Sequence, residues 1–111
     1  MNMSFALTTR QVRDQEKTVT RRNGWRRARV GQVVQPIVKG QGIPKGGHVE
    51  KIGGPIRFIN VRREPLEAIT PEDVRREGFP GRSSKWFVAM YLEANGGAPD
   101  QIVTRIEFEY L

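Results

Sequence analysis

Apolar and polar positions alternate most plainly near the end of the chain. There Ile102, Thr104, Ile106, Phe108 and Tyr110 share one face, while Arg105, Glu107 and Glu109 take the other. That period of two predicts a strand with one buried side. The same alternation at Met3, Phe5 and Leu7 predicts a strand over residues 2–7. Thr8 followed by Gln11 fits a capping box and starts a short helix near Thr9, with Val12 its only apolar contact. Thr18-Val19-Thr20 then returns to extended chain with Val19 inward. Arg29 to Val38 reads as a strand that Pro36 confines to an edge or a bulge, because proline cannot donate to a ladder. Ile56 to Arg63 is a further strand.

Helical spacing appears twice. Thr70, with Pro71 first and Asp73 third, starts a helix that runs to about Glu77 and stops at Gly78. Ser83 or Ser84 caps a second helix to about Ala94, where Phe87, Met90, Tyr91 and Ala94 form a stripe flanked by Trp86. That stripe reads as core, and Asn95-Gly96-Gly97 ends it. Six of the twelve glycines lie between 40 and 55, so residues 39–55 predict a long loop, with a short rung at Val49–Ile52. It is either a cover over a site or a plain solvent loop. It is no phosphate loop of the Walker type, since no Gly-Lys-Ser/Thr occurs. Strands with helices inserted argue a single α+β domain over residues 1–111 around a largely antiparallel, curved sheet.

Charge sharpens this picture. The 111 residues carry a formal net charge of +7, and residues 10–51 hold eleven Lys/Arg against three acidic residues. A one-sided excess favours a polyanionic partner, nucleic acid or nucleotide before membrane, because no basic amphipathic helix appears. An acidic protein partner is the duller alternative. No apolar run is long enough for a membrane span. The absence of cysteine removes disulfides and thiolate zinc sites, which makes the cytoplasm the default compartment. His48 has no ligand-spaced neighbours, so neither metal nor cofactor is expected.

Candidate chemistry gathers in Glu16–Trp25. Lys17-Thr18-Val19-Thr20-Arg21-Arg22, then Arg29-Val30-Gly31-Gln32-Val33-Val34 and a late Ile106-Glu107-Phe108 strand, resemble an ASCH domain. This family includes many small bacterial and phage proteins. The resemblance implies a PUA-like fold, a small curved β-barrel with two or three helices packed on it, and RNA-related or other nucleic-acid roles. Within the family, the small bacterial N4-acetylcytidine amidohydrolases carry Lys-Thr-Ile-Thr-Ile-Arg. Their catalytic lysine and threonine fall on Lys17 and Thr20, and their catalytic glutamate on Glu77, with Glu72 the neighbouring alternative. Where those enzymes have an acidic segment this chain has Arg22-Asn23-Gly24-Trp25, which bears on substrate more than on fold.

Two functions follow as expectations. One is a domain that binds nucleic acid or a modified nucleobase in a basic pocket built on Lys17–Arg22. There Arg21, Arg22, Arg26 and Arg29 contact phosphate, and Trp25 either stacks on a base or plugs the barrel end. The other is an amidohydrolase acting on N4-acylated cytidine, with Thr20 as nucleophile, Lys17 as base and Glu77 serving the leaving amine. On an unbroken strand, positions 17 and 20 face opposite sides. The pair is therefore expected to converge only if helix gives way to strand between them. The plainer readings are a lysine at a helix C-terminus, an ordinary strand threonine, a surface glutamate and solvated arginines.

Overall fold

The computed structural model describes residues 1–40 and 46–111. Residues 41–45, which fall within the loop expected over 39–55, lie outside them. In chain order the elements are β1 (Asn2–Ser4), a 3-10 turn (Ala6–Thr8), α1 (Thr9–Arg13), β2 (Val19–Arg22), β3 (Val33–Ile37) and β4 (Ile56–Pro65). A second 3-10 turn (Leu66–Ala68), α2 (Pro71–Arg76), α3 (Ser84–Asn95) and β5 (Ile102–Tyr110) complete the chain. The five strands form one sheet in the order β1-β3-β4-β5-β2, parallel at β1/β3 and antiparallel elsewhere. The ladder stops at β1 and β2, so the expected barrel is a five-stranded mixed sheet that does not close. Its ends nevertheless approach: the Arg22 guanidinium lies 4.7 Å from the centroid of the Phe5 ring. Among the described residues no helix is long and apolar enough to cross a membrane.

Local signals explain several boundaries. Thr70 Oγ1 accepts from Asp73 N at 3.2 Å, and Ser83 Oγ accepts from Trp86 N at 3.0 Å, so both later helices start where their caps predict. The Thr8 capping box does not form. The Thr8 side chain makes no capping bond, and a 3-10 turn has already replaced the end of the expected first strand. The strand expected from Arg29 begins only at Val33. β3 is not the edge strand that Pro36 suggested, since it lies between β1 and β4. Pro36 falls beyond the two residues that pair with β4 and stands opposite Met3 of the short β1. The predicted rung appears as a single bridge between Ile37 and Lys51.

Two apolar clusters flank the sheet. One gathers Met3, Phe5, Val34, Phe58, Ile106 and Phe108; the other lies under the helices, around Leu66, Val74, Phe87, Tyr91 and Val103. β5 is therefore covered on both faces from Val103 to Ile106. This corrects the single buried face expected from its alternation: Arg105 is buried, because α2 closes over it with a carboxylate.

Candidate functional site

β2 is the last strand of the sheet, and its register with β5 sets Arg21 opposite Arg105. Two like charges across a ladder repel unless an anion lies between them. Asp73 fills that place. Its Oδ2 accepts from Arg21 Nη2 at 2.6 Å and from Arg105 Nε at 2.7 Å, and its Oδ1 accepts from Arg105 Nη2 at 3.0 Å. Glu64 takes a further bond from Arg21 Nη2 at 2.9 Å. Glu77, at the C-terminal cap of α2, completes the cluster: Oε1 accepts from Lys17 Nζ at 2.7 Å and Oε2 from Arg21 Nη1 at 3.1 Å. Lys17 Nζ also donates to the Glu77 carbonyl at 2.8 Å. The side chains of Lys17 and Glu77 are only 4% and 3% exposed.

A cavity of about 210 Å³ opens beside this cluster. Lys17, Thr20, Arg21, Arg22 and Glu77 line one side, the chain from Ser4 to Thr8 closes another, and Phe79, Phe87, Met90, Tyr91 and Asn95 complete the wall. Lys17 and Thr20 thus share one cavity, although α1 ends at Arg13, well before either residue. Lys17 and Arg21 both reach Glu77, whereas Thr20 Oγ1 accepts from Arg22 Nε at 3.0 Å. Side chains from both faces of β2 reach the cavity because the strand has no neighbour on its far edge.

Electrostatics follow from burial. Removal from water pushes the Lys17 pKa below the ordinary lysine value, more strongly than Glu77 pulls it back. Burial also lowers Arg22 to about 10 and raises the Tyr91 phenol to about 12. Tyr91 keeps its proton and donates to Asn23 Oδ1 at 2.7 Å, fixing the residue that follows β2. Lys17 has a third N–H beyond the two that Glu77 occupies. Among the described residues no group of three or more His, Cys, Asp or Glu is placed to hold a metal ion. The carboxylates of the cluster are occupied by cations.

Of the residues expected at the site, Lys17, Thr20, Arg21, Arg22 and Glu77 come together; Trp25, Arg26 and Arg29 do not line the cavity. Trp25 adopts a left-handed backbone, φ 57°, and sets its ring edge-on to Phe58 at 6.0 Å. Arg26 and Arg29 are exposed on the loop between β2 and β3. Arg21 lines the wall, yet its guanidinium is 1% exposed and shared by three carboxylates. The basic half of the sequence is therefore not simply a basic surface, since two of its cations are neutralised by acids from the other half. Glu64, Asp73 and Arg105 escaped the sequence reading. Their only sequence signal is the charge balance after residue 51, eight Lys/Arg against nine acidic residues, opposite in sign to the basic first half.

The architecture agrees with solved structures of known kind. An ASCH domain from Lactobacillus crispatus JV V101 superposes with a TM-score of 0.69 at 12% identity, over 97% of this chain and 77% of that one. The fold is ASCH-like. A DUF984 protein of Enterococcus faecalis V583 superposes on this ASCH-like chain with a TM-score of 0.63 at 14% identity, over 95% of this chain and 67% of its own. No family model and no curated protein matches the sequence. The likeness is one of fold.

Proposed function

We propose that the cavity binds a single nucleobase, a modified pyrimidine above all, presented by a nucleoside or by single-stranded nucleic acid. The observation that carries this reading is one base-sized space in which the Lys17–Glu77 pair, the Thr20 hydroxyl and the Arg22 guanidinium face Phe87 and Tyr91. Aromatic walls suit the flat faces of a base, and the free Lys17 N–H suits an acceptor on its edge. The test is calorimetric titration with cytidine, uridine and N4-acetylcytidine. Binding should weaken about tenfold or more in Lys17→Ala, as expected for loss of a buried charged hydrogen bond. Equal affinity in the wild type and the variant would remove the cavity from the function.

One observation favours a hydrolytic reading as the second choice. Lys17, Thr20 and Glu77 line the same cavity, and burial weakens the hold of Lys17 on its proton. In that reading the Thr20 oxygen adds to the acyl carbon and its proton passes to neutral Lys17. The carbon–nitrogen bond then breaks as that proton goes to the leaving amine, and water releases the acyl group as a carboxylic acid. Chromatography for cytidine released from N4-acetylcytidine, absent in Thr20→Ala, tests it.

A further inference from the structure

The charges around the cavity do not cancel. Each carboxylate of the buried cluster already holds at least two cations: Glu77 has Lys17 and Arg21, Asp73 has Arg21, Arg105 and, more distantly, Arg76, and Glu64 has Arg21 and Arg62. Arg22 is left over. It makes no ion pair with any described residue, its Nε–H is used on Thr20, and the Phe5 ring covers one face of its guanidinium. Half-buried, it lines the cavity, and its two remaining nitrogens have no protein acceptor among the described residues. A desolvated guanidinium presenting a free N–H edge is the geometry that binds an oxyanion through two parallel bonds.

We propose that the ligand of this cavity carries a phosphate group that seats on Arg22, so the protein recognises a nucleotide unit rather than a neutral nucleoside. This rests on the base-binding reading for the other half of the ligand. The position of Arg22 argues for phosphate. It is the last residue of β2, and the exposed loop that follows carries Arg26, Arg27 and Arg29, so a backbone phosphate at Arg22 has a cationic path leading outward. A neutral ligand would enclose the guanidinium without compensating it.

The probes are cytidine, cytidine 5′-monophosphate, ribose 5-phosphate and a cytidylyl dinucleotide, titrated against the wild type, Arg22→Gln and Arg22→Lys. Circular dichroism confirms that each variant folds. The monophosphate should bind the wild type about tenfold or more tightly than cytidine, as a charge-assisted bidentate contact gives. Arg22→Gln should erase that ratio, whatever it does to cytidine alone, and Arg22→Lys should keep only part of it. A dinucleotide that outbinds the monophosphate identifies a nucleic-acid strand as the source of the phosphate; the reverse order identifies a free nucleotide. If ribose 5-phosphate binds through Arg22 but the base adds nothing, the phosphate seat stands and the base reading falls. Equal binding of cytidine and its monophosphate, an advantage that survives Arg22→Gln, or no binding of any phosphate probe would overturn the proposal.

Discussion

Glu77→Gln preserves shape and removes one buried charge, which makes it the sharpest probe of the cluster. Glu77 holds Lys17 at 2.7 Å and Arg21 at 3.1 Å. Arg21 retains Asp73 and Glu64, so its share of the loss is about 1 kcal/mol, the worth of one hydrogen bond. Lys17 retains no carboxylate. Its pKa is already lowered by burial, and loss of Glu77, which pulls the other way, lowers it further and eases escape of the proton. That escape sets a ceiling. An unfolded lysine holds its proton to about pH 10.4, so folding around a neutral Lys17 at pH 7 costs at most about 4–5 kcal/mol. The whole stability of such a domain is about 5–15 kcal/mol. Wherever Lys17 of the folded variant is neutral, the unfolded state binds one proton more than the folded state. The variant's stability therefore rises by about 1.4 kcal/mol per pH unit towards pH 10, and the wild type follows only once its own Lys17 begins to lose its proton. The gap between the two should be large at pH 7 and narrow by pH 9 in urea unfolding with unchanged m values. Adding Lys17→Met should recover much of the loss and abolish the pH dependence. A gap below about 1 kcal/mol at pH 7, or one equally wide at pH 9, would refute this account of the pair.

Acid should act through Asp73 and Glu64. Burial works against the Asp73 charge, but the bonds from Arg105 and Arg21 outweigh it and hold its pKa well below the carboxylate range. Glu64 is lowered in the same way by Arg62 and Arg21. Both pKa values are depressed on folding, so their stabilisation is complete above about pH 5 and is lost as pH falls through 4 and below. Thermal melts between pH 6 and pH 3 should show a falling Tm that Asp73→Asn flattens, and a flat wild-type profile would contradict the network. Gly78 has φ 103°, and a Cβ there would stand 2.7 Å from Gln11 Cγ, whereas Gly31 has φ 90° and open space. Gly31→Ala should cost about 1 kcal/mol from backbone conformation alone, and Gly78→Ala about 1–3 kcal/mol more. Equal losses in chemical denaturation would show that Gln11 simply moves aside.

What the sequence made legible was local. Thr70-Pro71 and Ser83 fix the starts of two helices through bonds three residues long, and β5 announces itself by alternation. The Thr8 box failed because tertiary packing of Phe5 and Val12 drew the chain into a 3-10 turn before the helix began. The buried role of Arg21 and Arg105 was illegible for a physical reason: their partner Asp73 is 52 and 32 residues away, and its position within α2 reads as an ordinary helix-start acid. Lys17 and Thr20 do converge, though not through the expected switch between helix and strand. A terminal strand offers both faces to one cavity, and no local pattern reveals which strand is terminal. Glu77 alone reads as a solvated helix charge; only the family resemblance drew attention to it.

The alternation within β2 divides labour by parity. Arg21 is fastened to Glu77 and through it to α2, as is Lys17 just before the strand, whereas Thr20 and Arg22, on the other parity from Arg21, are fastened chiefly to each other. Exchanging residues 20 and 22 therefore changes what the cavity can recognise without unfastening the strand from the helix. Variation confined to this pair is the cheapest route by which such a scaffold could be retargeted, in a laboratory library or in the divergence of natural chains.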